Sequence, residues 1–291
     1  MTINRIDIAA ASFVVLLSIY LFAQAPVPIS NEHEKKGEKI HVNILFEVVA
    51  AENNKARKLW TKQIVVNGNK SGLKFGEDWH KVNVDKGPLP ALFLRKTASL
   101  LEKSPVPLSL FLGSDFPISS SNKFKGRQAD FFTKMRQTGN NQFFYDDDVQ
   151  RYTAMFPDKV VVKACSRCHN EHPKTPKDDW QMRDIMGATT WAYPHEYVTR
   201  DELSVVITEL RKAFNKAYIA YLDKVATFKN KPNVGNKWPV DGYFLPSAKV
   251  FLSRLEATVA RDTLAVLLQK ADGEIGENKN APLSAKRTVL E

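Results

Sequence analysis

The chain has 291 residues, 43% of them hydrophobic and 25% charged, with a formal charge of +10 at pH 7. That composition is ordinary for a globular protein, and the length suits one large domain or two modest ones. No base-stacking or recognition-helix pattern accompanies the charge and the lysines are scattered, which sets nucleic acid aside. A solvated basic surface remains, suited to an anionic membrane or an acidic protein partner.

The first element is an 18-residue stretch without a charge, residues 8–25. As a helix it would reach roughly 27 Å, near the ~30 Å hydrocarbon thickness. Ala23-Gln24-Ala25 resembles a signal-peptidase site, but the run exceeds a usual signal core, and Pro26 would follow the scissile bond directly. A retained N-terminal membrane helix over residues 1–25 is the preferred reading. Arg5, partly offset by Asp7, places the short N-terminus in the cytoplasm and the rest outside it, anchored to the inner membrane and facing the periplasm. Residues 26–40 form a polar spacer.

Val42, Leu45, Val49, Ala56 and Trp60 recur at helical spacing and predict an amphipathic helix over about 41–64, closed by the turn signal Asn67-Gly68-Asn69. A second helix is predicted over about 90–103, opened by Pro90 and ended by Pro105 and Pro107. Residues 108–112 read as a strand or buried loop, and Ala129, Phe132 and Met135 mark a short helix ending near Gly139. Residues 142–145 and 152–156 flank Asp146-Asp147-Asp148 as a hairpin. The triplet reads more readily as a solvated tip than as a cation site. Residues 159–164 (KVVVKA) form a third β-branched run and residues 185–193 a fourth strand, with the segment between them read as a loop. Thr199 and Glu202 form a capping box before a long helix to about residue 228, whose apolar stripe is either core-facing or dimer-forming. Residues 229–246 read as a linker, 247–270 as a last helix with Gly273 as its cap, and 274–291 as a polar tail. The expected organisation is a domain over 41–200, a C-terminal helical extension over 201–273, and the tail.

The chemistry lies in Cys165-Ser166-Arg167-Cys168-His169, which holds both cysteines of the chain. C-x-x-C-H is the c-type haem attachment pattern. Two thiols at this spacing match the two haem vinyl groups, and the adjoining His169 can place an imidazole nitrogen beneath the iron. A dithiol switch would favour a thioredoxin-like βαβ setting, which is not evident here. A zinc site from Cys165, Cys168, His169 and His172 would crowd four ligands into eight residues, whereas zinc modules usually space their ligand pairs more widely. Covalent haem is the leading reading.

A conventional small cytochrome c takes a methionine well downstream as its second iron ligand. The last methionine here, Met186, is only 17 residues beyond His169. Segments on both sides of the motif (GPLPALFLR, EKSPVPLSLFLGSDFPI, QFFYDDDVQRYTAMFPD, CSRCHNEHPKTPKDDW, DIMGATTWAYP) resemble the bacterial c-type haem-binding domain of unknown function. That domain occurs in extracytoplasmic regions of sensor kinases and as stand-alone exported mono-haem proteins. The resemblance covers residues 41–200. It implies an α+β fold with a PAS-like antiparallel sheet and flanking helices, one covalent haem c held by Cys165 and Cys168, and His169 as axial ligand. For some members the resemblance also implies a distant cysteine thiolate as sixth ligand, but both cysteines here are used by the thioethers. Met155, His41 or His80 are the leading alternatives, with Met135, Met182, Met186, water or no ligand behind them. His172 is expected near the haem edge or a propionate.

A filled sixth position favours electron transfer or redox sensing with a redox partner protein. An open one favours gas or peroxide sensing, the chain acting as an input module for a signalling partner. Peroxidase chemistry would need a distal acid–base group, for which His195 is the candidate, and ranks last. A homodimer through the helix over 200–228 is a further expectation.

Overall fold

A computed structural model describes residues 17, 20, 39–161, 163–238 and 245–259. The chain divides into two units, Met1–Glu38 and Lys39–Glu291. Apart from Leu17 and Tyr20, both helical and exposed, the expected membrane helix lies outside the described residues, as do Gly273 and the polar tail. Among the described residues, no helix is long and apolar enough to cross a membrane.

The second unit is α+β. Helix α1 (Val42–Leu59) starts where His41 caps it, the imidazole Nδ1 accepting from the Asn43 N–H at 3.2 Å. It runs on through a π-helical segment (Trp60–Val66) and a last turn (Asn67–Lys70). The sequence led us to expect the end at Asn67-Gly68-Asn69. The chain stops instead at Gly72, with φ +88°, where the Leu73 N–H bonds the Gly68 carbonyl at 2.8 Å and the Gly72 N–H bonds that of Asn69 at 3.1 Å. This is a Schellman closure, and it draws the triplet into the final turn.

Helix α2 (Pro90–Leu101) has proline in its first turn, as read. Strand β1 (Ser109–Gly113) follows, then helix α3 (Gly126–Thr138), which ends at Gly139 with φ +73°. The hairpin is present as β2 (Gln142–Asp146) and β3 (Arg151–Lys159), and strand β4 is Ile185–Tyr193. These four make one antiparallel sheet in the order β1-β4-β3-β2. The aspartate triplet is tied to the start of α3. Asp146 accepts from Gln128 Nε2 at 2.9 Å, Asp148 from the Arg127 N–H at 3.1 Å, and Asp147 pairs with the Arg127 guanidinium.

Helix α5 (Arg200–Ala226) begins with the predicted capping box. Glu202 N–H donates to Thr199 Oγ1 at 3.1 Å, and Thr199 N–H donates to Glu202 at 3.4 Å. Its stripe faces the core of its own chain: Leu203, Val206, Leu210, Phe214, Tyr221 and Val225 are buried. The alternative left open by the sequence is thereby resolved toward core packing for this face. The linker contributes a two-residue parallel pairing of Val234–Gly235 with Leu245–Pro246. A last helix, α6, spans 248–259 among the described residues. Helix α4 (Lys163–Asn170) carries the motif.

The main core forms where α1, α2, α5 and α6 meet one face of the sheet. Trp60 stacks on Phe93 at 4.3 Å between ring centroids and receives the edges of Tyr218 and Tyr221. Its Nε1–H donates to the Pro88 carbonyl at 3.2 Å, so this buried indole is satisfied. Phe251 of α6 stacks on Tyr218 at 4.0 Å. A smaller cluster (Phe124, Phe132, Met135, Met155 and Ala188) packs α3 against the sheet.

Candidate haem attachment site

The sequence led us to expect the motif on a loop fed by a strand through Ala164. The structure places it on a short helix. The β3–β4 pairing ends at Lys159↔Ile185 after a register irregularity. Val160 makes the last cross-links, its N–H to the Asp184 carbonyl at 2.9 Å and its carbonyl to the Arg183 N–H at 3.0 Å. Val161 has no strand partner left and is exposed. With the ladder finished, the backbone of the motif closes its own hydrogen bonds as a helix over Lys163–Asn170.

The helix organises the motif. Cys165, Cys168 and His169 are related as i, i+3 and i+4, so both thiols and the imidazole share one face. Ser166, Arg167, Asn170 and Lys163 are turned toward the other side, where they line an open depression of about 460 Å³ with Glu171. Both cysteines are free; Cys165 is half-buried and Cys168 exposed. Among the described residues the ring nitrogens of His169 make no hydrogen bond.

A polar loop braces the C-terminal end of the helix. Asn170 clamps Trp180 from both sides, its Nδ2 donating to the Trp180 carbonyl at 3.1 Å and its Oδ1 accepting from the Trp180 N–H at 3.0 Å. The Trp180 ring is buried against the edge of Phe116, and Lys177 Nζ lies 4.8 Å from its centroid. His172 Nδ1 accepts from the Lys174 N–H at 3.1 Å, while its Nε2 lies 3.4 Å from the Glu77 carboxylate.

Glu77 links the groups around the motif. Burial, and then the neighbouring His172, lower the proton affinity of His169, with Glu77 opposing. The neutral imidazole is the form able to donate a lone pair to a metal. Burial pushes the Cys168 thiol up, followed by Glu77, Cys165 and Glu171, with Arg167 opposing. Arg95 of α2 lies in the same field. Burial lowers its proton affinity, Glu77 raises it, and its Nε is sealed from solvent without a hydrogen-bond partner.

The other sequence candidates lie as follows. Met155 and Met135 are fully buried in the α3 cluster. His41 caps α1 and lies against Tyr197 and Glu196, where residues 40–41 pair with 197–198. That pairing adjoins the Tyr193 end of β4, whereas the motif loop enters β4 at Ile185. Nine extended residues put these ends roughly 27 Å apart. His195 is also at the Tyr193 end, its ring 6.0 Å from that of Tyr193. His80 is exposed on the same loop as Glu77, and Met182 is exposed beside Arg183. Among the described residues, no three His, Cys, Asp or Glu side chains gather as a metal-binding group.

Glu77, Arg95, Asn170 and Trp180 carried no role in the residue-by-residue reading of the sequence. Only position in space relates Glu77 and Arg95 to the motif. Asn170, which directly follows Cys168-His169, was the one accessible from sequence, as an amide able to clamp the proline-broken loop behind it.

A four-stranded antiparallel sheet with flanking helices, whose motif helix carries two free thiols and an imidazole without a hydrogen bond among the described residues, is an α+β domain with groups that haem binding uses. Residues 33–194 match the Tll0287-like family model, more than half of the chain, and the chain belongs to that family of haem-binding domains. No curated protein and no solved structure matches it.

Proposed function

We propose that this chain is a mono-haem c-type protein for electron transfer or redox sensing. Cys165 and Cys168 would form the two thioethers, and His169 would supply the axial nitrogen. The observation that carries this reading is the common face of α4: two free thiols and an imidazole without a hydrogen bond among the described residues, at the spacing of an attachment motif. In forming each thioether, sulfur would bond one vinyl carbon and the thiol hydrogen would go to the other, with no net oxidation and no leaving group. The bound haem would supply reversible one-electron chemistry. Asn170 and Trp180 hold the segment behind His169, and His172 with Glu77 lies beside it. The order β1-β4-β3-β2, with helices on the sheet, supports a PAS-like arrangement.

The charge-free run over 8–25 supports membrane anchoring, with the haem domain in the extracytoplasmic space and a redox protein as partner. A covalent haem stain on a denaturing gel tests attachment; it should be present in the full chain and absent from C165A/C168A. Protease added to intact spheroplasts should degrade the domain, whereas protection would overturn the proposed orientation.

A second reading is favoured by the placement of the iron-ligand candidates. Met155 is committed to a packed cluster, and His41 caps α1 at the far end of β4. An open or weakly held sixth position would suit a gas- or peroxide-sensing input module that signals to a partner. Visible spectra of reduced protein with and without CO separate the two. A shift at low CO supports the open site, and an unchanged spectrum supports a strong sixth ligand.

A further inference from the structure

Helix α2 buries Phe93, Leu94, Thr97, Ala98 and Leu101, and Arg95 projects from the flank of that face. The residue is half-buried. Its Nε is shut off from solvent without an acceptor, and among the described residues the guanidinium makes no hydrogen bond or ion pair. Other half-buried arginines are provided for. Arg57 pairs with Asp158, Arg151 donates to the Pro107 carbonyl at 2.7 Å, and Arg211 grips both oxygens of Glu52. A guanidinium keeps its charge in proteins, so removing it from water is costly unless an anion meets it.

Glu77 is the carboxylate whose charge acts on Arg95, and it does not fill the role. Its carboxylate lies on His172 at 3.4 Å, and it reaches Arg95 through the field alone. Glu77 follows residues 75–76, which pair with Gly87–Pro88 just before α2, and its carboxylate reaches His172, three residues beyond His169, so the start of α2 and the motif segment meet at Glu77. An anion belonging beside the attachment face, of fixed reach and planar form, is what a guanidinium fork accepts best.

We propose that Arg95 binds a propionate carboxylate of the haem carried by Cys165 and Cys168. The inference rests on the haem reading above and adds a residue outside the motif to it. Arg95 then does two things. It satisfies the sealed Nε with a carboxylate oxygen, and it places a permanent positive charge near the iron. Reduction adds one negative charge to the haem, so this cation favours the reduced state.

The test uses the full chain with its haem attached, as wild type, R95Q and R95K. Redox titration should show a lower midpoint potential in R95Q, where the charge is lost, and a midpoint close to wild type in R95K, where it is kept. Resonance Raman should show the propionate bending band displaced in both, because neither side chain reproduces the fork. R95Q with its haem attached, an unchanged midpoint and an unshifted band overturns the proposal. Should R95Q not fold, R95K decides alone: a displaced band supports the contact, and an unshifted one ends it. Wild type lacking the covalent haem stain would instead defeat the underlying haem reading, so the two failures are distinguishable.

Discussion

Two regions of the unit formed by Lys39–Glu291 are stabilised in different ways. Around Trp60, four helices and a sheet face bury large side chains against one another, and the aromatic contacts run from Phe93 through Trp60 to Tyr218 and Phe251. Between Val160 and Asp184, Val160 and Trp180 are the buried apolar side chains among the described residues, and the segment is held by single polar contacts such as Asn170 to Trp180 and His172 to Glu77. Hydrophobic burial is cooperative and non-directional, whereas a few hydrogen bonds fix geometry at small net stability. The core therefore supplies the stability, and the motif segment is free to be shaped by chemistry. A covalent ligand bound there would stabilise the segment that has least of its own.

The largest expected effect comes from the core. Trp60→Ala removes a fully buried indole that packs on three aromatic rings and donates to Pro88. Such truncations cost about 3–5 kcal/mol. Urea denaturation followed by circular dichroism should show that loss; a cost below about 1 kcal/mol would mean that the aromatic stack does not organise the unit.

Much of this core was legible in the sequence, because periodicity is a burial signal. The apolar positions of α1, α2 and α5 are those that face inward, and Thr199 with Glu202 gave the start of α5 to the residue. The misread boundaries share a cause. Asn67-Gly68-Asn69 is a turn signal only when nothing outside it favours helix, and here Gly72 supplies the actual stop a few residues later. Likewise the β-branched run at 159–164 reads as strand, yet strand requires a partner, and Val161, past the Lys159↔Ile185 pairing, has none. For the site, the thiols and His169 were legible because they are contiguous. Glu77 and Arg95 were not, since Glu77 meets His172 only when the loop before α2 folds against the motif segment.

The buried ion pair of the core comes next. Glu52 is fully buried, and Arg211 donates to both its oxygens at 2.5 and 3.0 Å. Arg211→Met strips this partner from a buried carboxylate and should cost about 3 kcal/mol. The E52Q/R211M double variant should recover part of that loss. A double variant no more stable than R211M alone would show that burial of the carboxylate is not the source of the cost.

Alkaline pH probes the same core without mutation. Burial holds the Tyr218 and Tyr221 phenols well above their ordinary value of ~10. Both stay protonated in the folded chain while they ionise in the unfolded one, so the unfolded state binds fewer protons. Stability is then fully present below pH ~10 and falls above it, by about 1.4 kcal/mol per phenol per pH unit until the folded value is reached. Tyr221 Oη is buried without a partner, so Tyr221→Phe should not destabilise at pH 8 and should flatten the decline between pH 10 and 11. Urea midpoints at pH 8, 10 and 11 measure both; an equal decline in wild type and Y221F would remove Tyr221 as a source.

The smallest expected change in global stability belongs to the motif segment, where it carries the most information. Asn170→Ala deletes both bonds to the Trp180 backbone and leaves the helices and sheet untouched. Two net hydrogen bonds on a partly solvated loop amount to about 1 kcal/mol, and local opening of the segment absorbs much of it. Hydrogen exchange should accelerate at the Trp180 amide and along residues 171–180, with the amides of α1 and α5 unchanged. If N170A lowered the protection of α1 and α5 as Trp60→Ala is expected to do, the motif segment would be part of the cooperative core, and the division between a region that supplies stability and one shaped by chemistry would fail.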